Sequence, residues 1–171
     1  TAFHEIGATR DDACGEAFDK VGRVMGLPYP GGAAMDRLAA EGFLTYDPRA
    51  KGSLRFPSPA TPDDTLDFSF SGLKTAVINH IHTTKQRMFP EEGDDAVLPD
   101  EIRAEIAAAF TTAVTEGIAK KLDMALRTGA YRSVVMAGGV AANSHLRRAV
   151  GDVCVGHGGS FTVPPISLCG D

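Results

Sequence analysis

Apolar residues recur at helical spacing in five stretches of the chain. Over Asp11 to Met25, Cys14, Phe18, Val21 and Met25 share one face, and Asp12, Glu16 and Asp19 lie opposite with Arg23 near them. Thr9 or Asp11 can cap the start of this helix, and acids in its first turn suit the dipole. The run L-P-Y-P-G-G at 27–32 cannot continue it, because two prolines and two glycines make a rigid turn with close backbone approach. A second helix follows, with Met35, Leu38 and Ala39 inward and Gly42 near its end. Residues 43–65 have little periodicity and many prolines. They read as a long connection ordered by packing of Phe43, Leu44 and Phe56. Leu66, Phe68 and Phe70 alternate with Asp67 and Ser69, the pattern of a half-buried strand, and Ile6 to Thr9 could end another. Ser71-Gly72 opens a third helix carrying Leu73, Val77, Ile78 and Ile81. Pro99 sits near the start of a fourth that runs to about Thr128 and is closed by Gly129. Its apolar stripe is Ile102, Ile106, Ala109, Phe110 and Ala113, continued by Ile118, Leu122, Ala125 and Leu126.

The stretch from Ser133 to Leu146, S-V-V-M-A-G-G-V-A-A-N-S-H-L, organises the rest. Ser133 to Ala137 reads as a buried strand, Gly138-Gly139 breaks it, and a helix carrying Leu146 and Val150 follows to about Val150. Missing Cβ atoms at the two glycines let a ligand approach the backbone, and the helix N-terminus offers unpaired N–H groups. Asn143, in the first turn, can cap the helix or read a polar ligand edge. The spacing suits a nucleotide or phosphate site and a plain strand-to-helix turn equally well. A glycine-rich turn at 156–159 then leads to a short strand, Phe161 to Val163.

Composition narrows the classes. The 171 residues suffice for one domain or two small lobes, and no segment approaches about 18 uninterrupted apolar residues, so no membrane span is expected. The first residues, T-A-F-H-E-I-G, lack the basic and apolar regions of a signal peptide, and both ends are abrupt, as in the middle of a longer protein. Net charge is −5, so nucleic-acid contact must be local or supplied by a partner; Lys120-Lys121 and Arg147-Arg148 are expected to be solvated helix faces. Cys14, Cys154 and Cys169 have no C-x-x-C spacing, which argues for a reducing, cytoplasmic setting and against a disulfide framework.

Three further signals are weaker. Lys74 and Thr75 in the first turn of the third helix invite a phosphate reading, but G-L-K-T lacks the first glycine of the P-loop spacing. The acidic stripe of the first helix is either wet or presents one carboxylate to a polar ligand such as ribose hydroxyls. His80 and His82, two apart on a helix, point to opposite faces and make a poor metal pair.

Four motifs occur in order: D-D-A-C-G-E-A-F-D-K-V (Asp11 to Val21), Y-P-G-G (Tyr29 to Gly32), D-F-S-F-S-G-L-K-T (Asp67 to Thr75) and A-G-G-V-A-A-N-S-x-L-R (Ala137 to Arg147). Together they resemble the tRNA N6-adenosine threonylcarbamoyltransferase family, formerly called O-sialoglycoprotein endopeptidases, over its C-terminal half. The resemblance implies an α/β fold of the actin/hexokinase/Hsp70-like ATPase superfamily, with residues 1–171 mostly the second RNase H-like lobe with a helical insertion and the first lobe absent. It implies transfer of threonylcarbamoyl from threonylcarbamoyl-AMP to N6 of the adenosine next to the anticodon of ANN-decoding tRNAs, with this portion alone inactive. Implied partners are AMP or threonylcarbamoyl-AMP, tRNA, a paralogous subunit of the same superfamily and a small P-loop ATPase.

Residue by residue, the resemblance assigns Asp19 to the adenylate, accepting from ribose hydroxyls, Gly32 to close backbone approach, and Asn143 to the nucleotide; Gly138 and Gly139 form the glycine turn. No residue of this chain is assigned as catalytic. Asp171 stands at the family's metal-ligating aspartate, though the motif here reads C-G-D and ends. The family's other metal ligands, an H-x-x-x-H pair, come from the first lobe. One divalent ion, Fe2+ or Zn2+, is therefore implied for the complete enzyme and not for this chain alone. Two other readings remain: a non-catalytic scaffold subunit of the same pathway, and an ATP-binding lobe of a sugar or acetate kinase. The old protease label gains no support, since H-E-x-x-H is absent.

Overall fold

The computed structural model describes residues 2–165. The sequence-predicted helices form: α1 (Cys14–Val24), α2 (Gly31–Gly42), α3 (Ser71–Met88), α4 (Asp100–Leu126) and α5 (Ser144–Gly156), joined by short 3-10 turns at Gly93–Asp95 and Gly139–Ala142. Two strands, β1 (Ser133–Val135) and β2 (Ser160–Thr162), pair in parallel with Ser133 opposite Ser160, and α5 is the crossover between them.

Helix α4 is the spine, roughly 40 Å long at 1.5 Å per residue. Every residue from Ile106 to Thr111 is buried, so its middle is covered on all sides, wider than the single stripe predicted. Its N-terminal half packs with α1, α2 and α3 into the larger core, built on Phe18, Met35, Leu73, Ile81, Ile106 and Phe110. Phe18 meets Phe110 edge to face at 4.9 Å. Helix α2 crosses α4 with no room to spare: a Cβ on Gly42 would stand 2.1 Å from the Ala104 carbonyl oxygen. The C-terminal half of α4 serves a smaller core with Leu146, Val150 and Cys154 of α5, flanked by Val134 and Phe161 of the sheet. Ile118 and Val140 touch both cores.

Several local expectations are corrected. Residues 66–70 form no strand. Phe68 makes single bridges, parallel to Thr9 and antiparallel to Ala60, because its backbone is divided between two partners. Neither Thr9 nor Asp11 caps α1, whose N-cap is Ala13. Thr9 instead donates to the Asp12 carbonyl at 2.7 Å. Asp11 crosses to the N-terminus of α3, where its Oδ1 accepts from the N–H groups of Phe70 (2.7 Å) and Ser71 (3.1 Å) and its Oδ2 from the hydroxyls of Ser69 and Ser71. A helix start leaves N–H groups without partners, and a carboxylate with two oxygens satisfies them better than its own neighbours could. Burial pushes the Asp11 carboxyl up, yet these hydrogen bonds outweigh it and hold the group well below the usual carboxylate range.

Leu44 does not help order the 43–65 connection; it is 85% exposed, while Phe43 packs on Tyr46 and His145. Lys121 is no solvated face. It is 2% exposed, and its ammonium donates to the carbonyls of Asp63 (3.0 Å) and Thr65 (2.5 Å), pinning that connection to α4. β1 is shorter than the run 133–137, and Val135 is exposed because among the described residues the sheet has two strands and is covered on one side. No helix among the described residues is long and apolar enough to cross a membrane.

Candidate functional site

A cavity of about 420 Å³ opens where the two cores meet, within the range of small-molecule sites. α1 contributes Gly15, Phe18 and Asp19; α2 and the turn before it contribute Pro30, Gly32, Ala33, Asp36 and Arg37; the turn into α5 contributes Gly139, Val140, Ala142 and Asn143. Asp19, Gly32, Gly139 and Asn143, singled out from the sequence, thus line one space. Gly138 lies outside its lining. Its φ of +90° is the left-handed kink that turns the chain out of β1, a conformation costly for any residue with a Cβ.

The polar atoms divide into occupied and free. Asn143 is the N-cap of α5, and its Oδ1 accepts from the Leu146 N–H at 2.8 Å. Its Nδ2 is buried and has no hydrogen-bond partner. The capping reading holds through the oxygen, and the amide nitrogen is left as an unspent donor. Asp19 accepts from the Gly31 N–H through Oδ1 at 2.8 Å, anchoring the start of α2.

The N-terminus of α5 is not the open anion seat that the glycine turn suggested. Asp36 fills it, accepting from the Ser144 N–H at 3.1 and 3.2 Å and from the Ser144 hydroxyl at 3.1 Å. Sequence reasoning missed Asp36. The available signal was its position four residues after Gly32 on α2, hence on the same helical face. Beyond it, Phe43 packs against His145 with ring centroids 4.7 Å apart and the planes tilted by 55°.

The other candidate groups are held elsewhere. Lys74 does not face the cavity as a phosphate binder; its ammonium pairs with Asp12, which also takes Lys20 at 3.2 Å. These two lysines, Lys74 first, hold the Asp12 carboxyl below its ordinary value. Glu16 pairs with Lys20 at 2.6 Å, so of the acidic stripe Asp19 alone lines the cavity. His80 packs against Phe56, and His82 bonds Asp94 at 2.7 Å. Burial pushes the Cys14 thiol up to about 12, which removes it as a nucleophile near neutral pH.

Among the described residues no three His, Cys, Asp or Glu side chains gather as a metal-binding set, and Asp171 lies outside those residues. The described residues therefore do not fit the implied divalent ion.

A cavity of small-ligand size lined by Asp19, Asp36 and Asn143, set on a strand–glycine–helix turn, defines an α/β protein with a candidate ligand site. The model of the tRNA N6-adenosine threonylcarbamoyltransferase family, TsaD, matches residues 1–171, and the chain belongs to that family. Proteins of that name from Geobacter sp. strain M21, Staphylococcus carnosus and Moorella thermoacetica are 43%, 42% and 46% identical to it over 169, 170 and 166 residues. The matches cover 99%, 99% and 97% of this chain and 44% of each relative, so the chain spans a little under half of their length.

Proposed function

We propose that the cavity between α1, α2 and α5 is the adenylate-binding part of a threonylcarbamoyl-transfer site. The chain is then the second RNase H-like lobe, with a helical insertion, of a two-lobed protein of the actin/hexokinase/Hsp70-like class. The observation that carries the reading is the Asn143 Nδ2, a buried donor with no partner, in a residue that lines a cavity of small-ligand size. Such a donor is costly to leave unmade, and a nucleotide supplies the acceptor. Asp19 contributes a carboxylate to accept from ribose hydroxyls, and Gly32 and Gly139 leave room for the ligand against the backbone.

In the proposed reaction N6 of a tRNA adenosine attacks the carbamoyl carbon of threonylcarbamoyl-AMP. The N–C bond forms, the C–O bond to phosphate breaks, AMP leaves with the electron pair, and N6 loses a proton. This chain's residues hold the adenylate so that amine and leaving group are oriented for that exchange. None of them is required as a covalent nucleophile. An iron or zinc ion would need ligands from beyond the described residues, and no step assigned here runs through one. tRNA, a paralogous subunit and a small P-loop ATPase are the partners this reading implies, in the cytoplasm.

The test is a calorimetric titration with AMP of the chain and of an Asn143→Ala variant. Saturable binding that the variant loses is expected. If the chain does not bind and the two-lobed protein does, the cavity needs its other wall. If neither binds AMP, the adenylate reading fails and the scaffold reading replaces it.

A further inference from the structure

A second cavity, of about 490 Å³, lies at the other end of α1. It is bounded by the end of α1, the second half of α3, the segment around the Gly93–Asp95 turn and the start of α4. None of its residues belongs to the proposed adenylate site.

Three permanent cations converge there: Arg23, Lys85 and Arg103. Their bonding is incomplete. The Arg23 side chain makes no hydrogen bond or ion pair among the described residues; its carbonyl accepts from the Gly26 N–H at 3.0 Å. Arg103 places Nε in the interior without any acceptor. Its Nη1 reaches only the Met25 carbonyl, at 3.4 Å, and its Nη2 holds Asp100, whose side chain is 82% exposed and easily exchanged for another acceptor. Lys85 spends one of three donors, on the Asp94 carbonyl oxygen at 2.9 Å.

The facing acids are Asp94 and Asp95. Asp94 is engaged by His82 at 2.7 Å. Asp100 balances Arg103, and Asp94 and Asp95 stand against the other two cations, of which the Arg23 guanidinium has no acidic partner within 4.0 Å among the described residues. Between these groups the surface is apolar, from Val24, Val97 and Leu98. Unspent guanidinium donors beside an apolar wall suit a ligand with an anionic head and a ring-sized apolar body, because arginine pairs with phosphate oxygens in a forked geometry.

We infer that this cavity is a second ligand site, for a small organic phosphate, with Arg23, Lys85 and Arg103 holding the phosphate and Val24, Val97 and Leu98 the body. Both ends of α1 then carry a ligand.

The probe is phenyl phosphate, titrated into the full-length chain and followed by the NMR signal of the Arg103 Nε–H, with the Asn143 side-chain amide as the marker of the first cavity. A saturable shift of the Arg103 signal is expected. Inorganic phosphate should bind at the same place at least tenfold more weakly, and phenol should leave the signal unmoved. In the Arg23→Gln, Lys85→Gln double variant, which leaves Arg103 and its helix contact in place, affinity should fall at least tenfold. The inference is overturned if phenyl phosphate gives no saturable shift, if phenol gives the same shift, if the double variant binds equally well, or if only the Asn143 signal responds.

Discussion

Replacing Asn143 by serine separates its two jobs. The carboxamide oxygen caps α5 through the Leu146 N–H at 2.8 Å, while the amide nitrogen is buried and idle. Serine is nearly as good an N-cap as asparagine, so Asn143→Ser should keep stability within about 0.5 kcal/mol, whereas Asn143→Ala loses the cap and about 1 kcal/mol. For a chain of this length 1 kcal/mol corresponds to a melting shift of roughly 2–4 °C. Ligand affinity should behave differently. Both variants lack the amide donor, and one hydrogen bond is worth about 0.5–1.5 kcal/mol net, or roughly two- to tenfold in affinity. The upper end applies, because in the free protein the donor has no other partner to give up. Calorimetric unfolding and AMP titration on the same three proteins provide the readout: Ala should move both quantities, Ser affinity alone. A serine variant that binds AMP as tightly as the parent would refute the assignment of Nδ2 as the ligand donor. An alanine variant with unchanged melting would refute the cap.

The remaining predictions concern the scaffold. Asp11 has a folded pKa held below its unfolded value, so its stabilisation is complete above about pH 4 and is lost as pH falls towards the folded value. Urea unfolding from pH 7 to pH 3 should show that loss, and Asp11→Ala should flatten the acid slope while costing about 1 kcal/mol at neutral pH as a lost helix cap. Gly42→Ala puts a methyl 2.1 Å from the Ala104 carbonyl oxygen and should cost about 1–3 kcal/mol as α2 and α4 are forced apart, read as a lower urea midpoint. Lys121→Met removes two hydrogen bonds from a charged donor, and the expected loss is about 1–3 kcal/mol. It should be accompanied by faster amide exchange at Thr61, whose N–H bonds the Asp67 carbonyl at 3.4 Å. Unchanged exchange there would show that the ammonium does not anchor the connection.

The helices were legible because each carries an apolar face for at least two turns, and glycine or proline marks most of their ends. α4 was read as one-sided because alanine is ambiguous: Ala107 and Ala108 suit a wet face as well as a buried one, and only close approach of α2 and other neighbours makes them core. The strand expected at 66–70 failed on long-range grounds. Its alternation is real, but Asp67 bonds the Ala8 N–H at 3.1 Å and Arg10 at 3.0 Å, a partnership across more than fifty residues that no local pattern encodes. The cavity was legible at Asp19, Gly32, Gly139 and Asn143 through motif resemblance, since periodicity left their roles open. The split of Asn143 into a capping oxygen and an unpaired nitrogen, and the carboxylate that Asp36 places on α5, emerge only in the folded chain.

The cavity also sits on the seam between the two hydrophobic cores, with Phe18 belonging to one and Val140 touching both. A molecule bound there works as a removable cross-link. It resists separation of the α5–sheet unit from the α1–α2 pair, and its hold is set by its concentration. At a hundred times its dissociation constant such a ligand adds about 2.7 kcal/mol against any opening that destroys the site. Occupancy would therefore be recorded mechanically, as added resistance to parting the two cores.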